Sequence, residues 1–262
     1  MQIVVRTMEE LRQYWNSKQN FIFDPDFFRL EMELPPAVDI VDVLRREKDS
    51  VIAIKGDYSE AEQEHMVEKF KTRPIEQVID YPFTLSHFEL AKFYGADQFL
   101  HDFQNKIMAP WRTFLASTGL TWQRCYPIFF ISGKQCTTGY HVDVSHVVAW
   151  QVYGTKVFNG YVDPEKYAPI EVCVDERDRI QWKERPACPA EEVISYEMQP
   201  GALLWNQLLT PHWVEASDEI AVSVNISHGG VRYKGEFCDN EQVLRARWDK
   251  HPQEAWLTDL RY

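Results

Sequence analysis

Within Thr138-Gly139-Tyr140-His141-Val142-Asp143 an imidazole and a carboxylate stand two residues apart. On an extended chain both project from the same face, about 7 Å apart along the strand, a spacing at which they can grip one metal ion. A second imidazole, His212, follows Pro200-Gly201-Ala202-Leu203-Leu204-Trp205 and the stretch Asn206 to Pro211. Two histidines and one carboxylate form the facial triad of non-haem Fe(II) sites, which leaves three coordination positions open for O2 chemistry. H-x-D alone is a weak pattern, and for His141 and Asp143 by themselves a structural hydrogen-bonded pair is the default reading.

Three features add weight to the metal reading. Lys156 lies beyond a hairpin turn at about Tyr153-Gly154, where the next strand folds back beside the metal-bearing one. An ammonium there can hold the distal carboxylate of a small diacid that ligates the metal, although a solvated strand lysine has the same local pattern. Thr138, three residues before His141, offers a hydroxyl to the same carboxylate. The segment Val193 to Trp205 reads as a strand, a Pro-Gly turn and a strand, and delivers His212 from the opposite side of a barrel. His146 competes as a ligand, but five residues from His141 it falls on the opposite face of a continuous strand. His65, His87, His101 and His251 sit in predicted helices or loops and are expected at the surface, and His228, before Gly229-Gly230, is expected in a loop, with the cavity mouth as its alternative place. Cys136 reads as a small core residue.

The positioning elements divide into a helical and a strand-rich half. Capping-box patterns at Thr7, Ser59 and Ser86 predict helices to about Lys18, Lys71 and Gly95. The alternation from Phe27 to Leu34 predicts a half-buried strand, Asp39 to Arg46 a helix, and Val51 to Ile54 a short buried strand. From Asp97 a helical pattern runs to Gly119, with Pro110 expected to kink or split it. Then seven strands are predicted: Trp122 to Ile131, Ser145 to Val152, Thr155 to Tyr161, Ile170 to Val174, Val193 to Met198, Ala202 to Asn206 and Ile220 to Ser227. Few helices intervene, so the pattern points to a closed antiparallel barrel or sandwich, mainly β with helices (α+β). The tail from Asn240 to Tyr262 reads as helical, with Val243, Leu244, Trp248 and Trp256 as apolar contacts. The expected organisation is a supporting region over 1–120, a barrel core over 121–232 and a helical extension over 233–262, integrated into one domain.

Composition narrows the function classes. A net charge of -12 argues against a general nucleic-acid binder and permits a basic peptide or protein partner. No run approaches the length of a membrane span, and the first residues lack the apolar core of a signal peptide. Five cysteines without a C-x-x-C pair make a disulfide framework or structural zinc unexpected, and a reducing cytoplasm fits them.

Taken together, these residues resemble the JmjC-type cupin oxygenases, nearest the peptide and protein hydroxylase branch that includes the asparaginyl hydroxylase of hypoxia-inducible factor. The family pattern Thr-x-x-His-x-Asp, Gly, Lys, Pro-Gly-Asp-x-Leu and a distal His corresponds to Thr138, His141, Asp143, Gly154, Lys156, Pro200-Gly201-Ala202-Leu203-Leu204 and His212, over about 122–230. The resemblance implies a double-stranded β-helix (the cupin or jelly-roll barrel) that uses Fe(II), 2-oxoglutarate and O2. It implies that His141, Asp143 and His212 bind iron, that Thr138 and Lys156 hold the co-substrate carboxylate, and that Asn225 sits near the co-substrate. Tyr126, on the preceding strand, is a further candidate for the carboxylate site. Ala202 departs from the family's acidic residue after Pro-Gly, and Val147 stands where the branch often has Asn. Retention of the Asp143 carboxylate favours hydroxylation over halogenation. The implied substrate is an amino-acid side chain in a peptide or protein, and homodimerisation through C-terminal helices is common in the branch. Hydroxylation of a free amino acid or small metabolite, N-methyl demethylation, and a non-catalytic cupin-like binding role remain alternatives.

Overall fold

The computed structural model describes residues 2–175, 177–181 and 183–255. Strand β1 (Val4–Val5) leads into α1 (Met8–Tyr14), whose first turn is capped by the Thr7 hydroxyl accepting from the Glu10 amide at 3.1 Å. The helix is shorter than its pattern predicts and gives way to β2 (Phe21–Phe23), which pairs in parallel with β1. The strand expected over Phe27 to Leu34 does not form. Leu30 and Leu34 are buried and Arg29, Glu31 and Glu33 exposed, as alternation demands, yet the segment joins no sheet. Alternation reports which side chains are buried, whereas a strand also needs a neighbour for its backbone.

Next come α2 (Ala37–Leu44), β3 (Val51–Ile54), α3 (Glu60–Thr72) with the full Ser59/Glu62 capping box, and α4 (Ile75–Val78). The Ser86 capping box is overturned: Ser86 and His87 end β4 (Phe83–His87), and only a single 3-10 turn, Leu90–Phe93, follows. Pairing of Ser86 with Val51 and of His87 with Phe129 outweighs the local helix signal. His87 is accordingly fully buried rather than at the surface, its Nδ1 2.9 Å from the Ser50 hydroxyl. A π-helical turn, Gln104–Met108, runs into α5 (Ala109–Ser117), so the helical run is split at Pro110, which occupies the first turn of α5.

The remaining strands are β5 (Leu120–Thr121), β6 (Arg124–Ser132), β7 (Thr137–His141), β8 (His146–Tyr153), β9 (Lys156–Tyr161), β10 (Val193–Met198), β11 (Leu203–Asn206), β12 (His212–Ala216), β13 (Ala221–Gly229), β14 (Arg232–Tyr233) and β15 (Glu236–Phe237). Strands β6 to β13 are divided between two sheets, β11-β8-β13-β6 in the larger and β10-β9-β12-β7 in the smaller, and the chain changes sheet at every step except from β9 to β10, which pair with each other. That winding is the double-stranded β-helix, or jelly roll. The larger sheet is extended by β2 and β1 on one flank and by β4 and β3 on the other.

Two departures concern the strand list. β7 and β12, which carry two of the candidate ligands, were not among the seven predicted, and Ile170 to Val174 is helical. It forms α7 (Ile170–Val174), after α6 (Pro164–Tyr167), with the Ile170 amide donating to Glu165 Oε1 at 2.9 Å. A short apolar run carries no period of its own, and Cys173 and Val174 bury with Leu244 and Trp248 of α8 (Asp239–Lys250). On α8, Val243 is 39% exposed rather than an apolar contact. Trp256 lies outside the described residues.

Period-2 alternation gives the larger sheet two chemically different faces. Phe129, Ile131, Val148, Trp150, Leu203, Trp205, Val222, Val224 and Ile226 pack with Phe21, Phe103 and Trp111 in one core. The opposite parity, Val147, Ala149, Gln151, Asn206, Ser223, Asn225 and Ser227, faces the barrel interior by the same register.

Gly154, at φ +62, turns β8 into β9, and a Cβ there would collide with the backbone of Ile220. Gly154→Ala is expected to destabilise the protein by about 2–4 kcal/mol, read as a lowered midpoint in urea or thermal unfolding.

Candidate metal and co-substrate site

The sequence places Thr138 and His141 three apart, which on a regular strand would send them to opposite faces. The structure resolves this with a β-bulge. Thr138 pairs with Val214, but His141 rather than Tyr140 pairs with His212, so one extra residue is accommodated in β7. The bulge turns His141 towards the barrel interior and Tyr140 outwards, where it packs with Tyr161 and Trp213.

His141 and His212 then face one another, with ring centroids 4.1 Å apart. Each ring is pinned by its Nδ1 against the carbonyl two residues before it, Gly139 O at 2.8 Å and Thr210 O at 2.9 Å. A carbonyl only accepts, so Nδ1 carries the proton and Nε2 keeps its lone pair. Phe158 stacks on His212 at 4.8 Å. Burial, followed by the neighbouring His141, pushes His212 down to about 4, so the ring is neutral at ordinary pH.

Asp143 leaves the end of β7 and completes the group. Its Oδ1 is 3.6 Å from His141 Nε2 and its Oδ2 3.7 Å from His212 Nε2. Donor atoms of the three residues all lie within 4.8 Å of one another. Two imidazoles that present Nε2 and a carboxylate beside them are a donor set that fits a divalent first-row metal with coordination positions to spare. Asp143 is anchored through its own carbonyl, which accepts from the Leu209 amide at 2.7 Å. The two residues before it bridge to an overlying segment: the Val142 amide donates to Ile180 O at 3.0 Å and His141 forms a β-bridge with Gln181.

Lys156 occupies the same interior. On β12, Ala216 stands opposite Lys156, so His212 is four residues along the ladder, about 13 Å of strand. Lys156 is 6% exposed, and its Nζ touches the Phe130 carbonyl at 3.0 Å and the Ser223 hydroxyl at 3.1 Å. No carboxylate pairs with it among the described residues. Burial pushes its ammonium down to about 7. A lone buried cation with neutral partners is costly unless an anion joins it.

Thr138 lies on β7, opposite Val214 of the strand between it and Lys156. Asn225 lies on β13, opposite Ala149, with its Oδ1 buried and unpaired. Tyr126 is placed elsewhere: it pairs with Ser227, four residues along β6 from Phe130, at the end of the barrel nearer the triad. It lines a cavity of about 210 Å³ with Phe88, Tyr94 and Arg112.

Sequence reasoning missed two residues. Ser223 touches Lys156, and Asn206 donates from Nδ2 to Asp143 Oδ2 at 2.9 Å. A signal existed for Ser223, because Ser223, Asn225 and Ser227 form a polar alternation within an apolar strand. Asn206 sits at the end of an apolar run, directly opposite Val147.

His146 and His228 pair across β8 and β13 on the outer face, so His228 is a fully buried strand residue and not part of a loop. His146 Nδ1 accepts from Trp205 Nε1 at 3.2 Å and from the Leu208 amide at 3.3 Å, which puts its proton on Nε2, 3.4 Å from Cys238 Sγ. His146, Cys238 and Glu241 also lie within 4.8 Å of one another. A ring occupied at both nitrogens has no lone pair for a metal, so this second group is a structural network.

Among solved structures the fold is shared with a ribosomal oxygenase, YcfD of Escherichia coli. One such structure aligns with a TM-score of 0.53 at 14% identity, covering 96% of this chain and 57% of that one. A complex of the same protein with cobalt and succinic acid gives 0.54 at 15%, covering 100% and 59%, and one with cobalt and 2-oxoglutarate gives 0.52 at 15%, with the same coverage. The chain thus spans less than two thirds of the length of those proteins. No protein-family model matches the chain, and no curated protein does. Among the described residues no helix is long and apolar enough to cross a membrane.

Two outcomes follow from this geometry. His146→Ala orphans two buried N–H donors and is expected to cost about 2–4 kcal/mol, while leaving Co(II) affinity unchanged; His141→Ala is expected to abolish Co(II) binding in the same titration. In the unfolded chain Lys156 titrates near about 10.4, against about 7 in the fold. Between these values the unfolded state binds more protons, so stability rises with pH across that window. Urea unfolding over that range should show this rise, and Lys156→Met should flatten it.

Proposed function

We propose that the protein is an Fe(II)- and 2-oxoglutarate-dependent oxygenase that hydroxylates an amino-acid side chain of a peptide or protein. The observation that carries the reading is the buried, unpaired Lys156 ammonium in the same barrel as a convergent His141–Asp143–His212 group. Iron and 2-oxoglutarate, with O2 as the oxidant, would supply oxidative decarboxylation, to succinate and CO2, coupled to oxygenation of a C–H bond.

The chain's own residues account for the rest. His141 and His212, pinned through Nδ1, and Asp143 hold the metal by one face. Lys156, supported by Ser223, holds the distal carboxylate, with Thr138 offering a hydroxyl from β7 and Asn225 a carboxamide from β13. Binding a dianion restores the lysine to its charged form, because the carboxylate provides the partner that burial withholds. The outer apolar face of the larger sheet locks this lining by packing against the N-terminal helices. A protein substrate is supported by the shared fold with a ribosomal oxygenase, and the acidic balance of the chain suits a basic target.

Purified protein given Fe(II), 2-oxoglutarate and O2 is expected to form succinate, slowly alone and faster with its substrate. Asp143→Ala should abolish this. Lys156→Ala should raise the 2-oxoglutarate KM at least tenfold, with Co(II) affinity unchanged; equal KM values would remove Lys156 from its role, and absence of succinate with every peptide offered would favour a non-catalytic barrel.

A further inference from the structure

We propose that Asn206 is a positioning residue of the metal centre, holding Asp143 so that the carboxylate ligates through one oxygen and leaves the remaining coordination positions open. The inference rests on the triad being a metal site, and extends it to a residue outside the triad.

The three ligands are not held alike. His141 and His212 are each fixed by a bond from Nδ1 to a backbone carbonyl, and His212 also by the Phe158 ring. Asp143 has no such support on its own strand. It lies two residues past the end of β7, its side chain is 32% exposed, and its backbone carbonyl is held by the Leu209 amide. Its carboxylate spans the gap between the two imidazoles, with one oxygen towards each. Left to itself such a group can present either oxygen or both. A carboxylate chelating through both would fill one of the positions that a facial triad keeps free.

Asn206 decides between these options. It is the last residue of β11, is 1% exposed, and donates from Nδ2 to Asp143 Oδ2 at 2.9 Å. The same nitrogen stands 3.5 Å from His212 Nε2, so the carboxamide lies against two of the three ligands at once. An N–H engaged with Oδ2 lowers that oxygen's donor strength and leaves Oδ1 as the better ligand.

Stability does not explain the residue. Asn206 closes the run Leu203-Leu204-Trp205 and faces Val147 across the ladder. Its Oδ1 is buried without a hydrogen-bond partner among the described residues. An apolar side chain of similar size would fill that place without burying an unsatisfied oxygen. What only the carboxamide supplies is the N–H aimed at Asp143.

The test is a Co(II) titration of the full chain, followed by calorimetry and by the visible absorption of the bound ion, with thermal unfolding of the metal-free protein alongside. Asn206→Leu is expected to weaken Co(II) binding by roughly 10- to 100-fold and to shift the Co(II) spectrum. Its metal-free melting temperature should equal or exceed that of the parent. Asn206→Asp keeps size and shape but replaces the donor by an acceptor, and is expected to lose affinity in the same way, which covers the case in which Leu fails to fold. Co(II) affinity and spectrum within twofold of the parent in either folded variant would overturn the assignment. A parent protein that binds no Co(II) would instead overturn the metal reading itself.

Discussion

The bulge in β7 is the constraint on which the site depends. Continued without it, the ladder from Thr138 and Val214 would set Tyr140, not His141, opposite His212. The imidazole would point into the outer cluster of Tyr161 and Trp213, and the phenol into the barrel. Because side chains alternate with a period of two, a single extra residue exchanges the whole set. β12 carries this register onward to β9, where Ala216 meets Lys156. The two candidate histidine ligands and the buried ammonium are thus placed by one continuous ladder rather than by independent loops.

Much of the site was legible in the sequence, and the reasons are local. His141, Asp143, His212, Thr138 and Lys156 could be singled out because their chemistry and order are unusual together. Elements were readable where pattern and environment agreed, as in β10 (Val193–Met198) and the Ser59-capped helix. They were misread where a neighbour distant in sequence decided the outcome. Ser86 has the spacing of a helix cap but is claimed by Val51 on an adjoining strand, and Ile170 to Val174 has strand composition but packs on a helix. Asn206 was invisible because nothing near it in the chain announces Asp143, which lies 63 residues away. Hydrogen bonds across that separation are a property of the fold.

The barrel interior, lined here by the smaller sheet, and the outer face of the larger sheet show how little composition alone determines. Each presents histidines beside a carboxylate or thiol, and each brings three donors within 4.8 Å. On the inner face the rings spend Nδ1 on carbonyls, and their other nitrogens face one another. On the outer face His146 spends Nδ1 as an acceptor for two N–H groups and must keep its proton on Nε2. Burial lowers His146 and His228 to about 3, which keeps both rings neutral within the apolar layer. The direction of one hydrogen bond separates a ligand from a strut.

The bridge between His141 and Gln181 has a further consequence. β7 is the terminal strand of its sheet, with β12 on one side only. An unprotected edge would offer its backbone amides and carbonyls to any passing extended chain. Here the amide of Val142 is taken by Ile180, and the carbonyl by the Gln181 side chain at 2.6 Å. The strand that carries His141 is therefore shielded from intermolecular pairing at the very point where its own ladder ends.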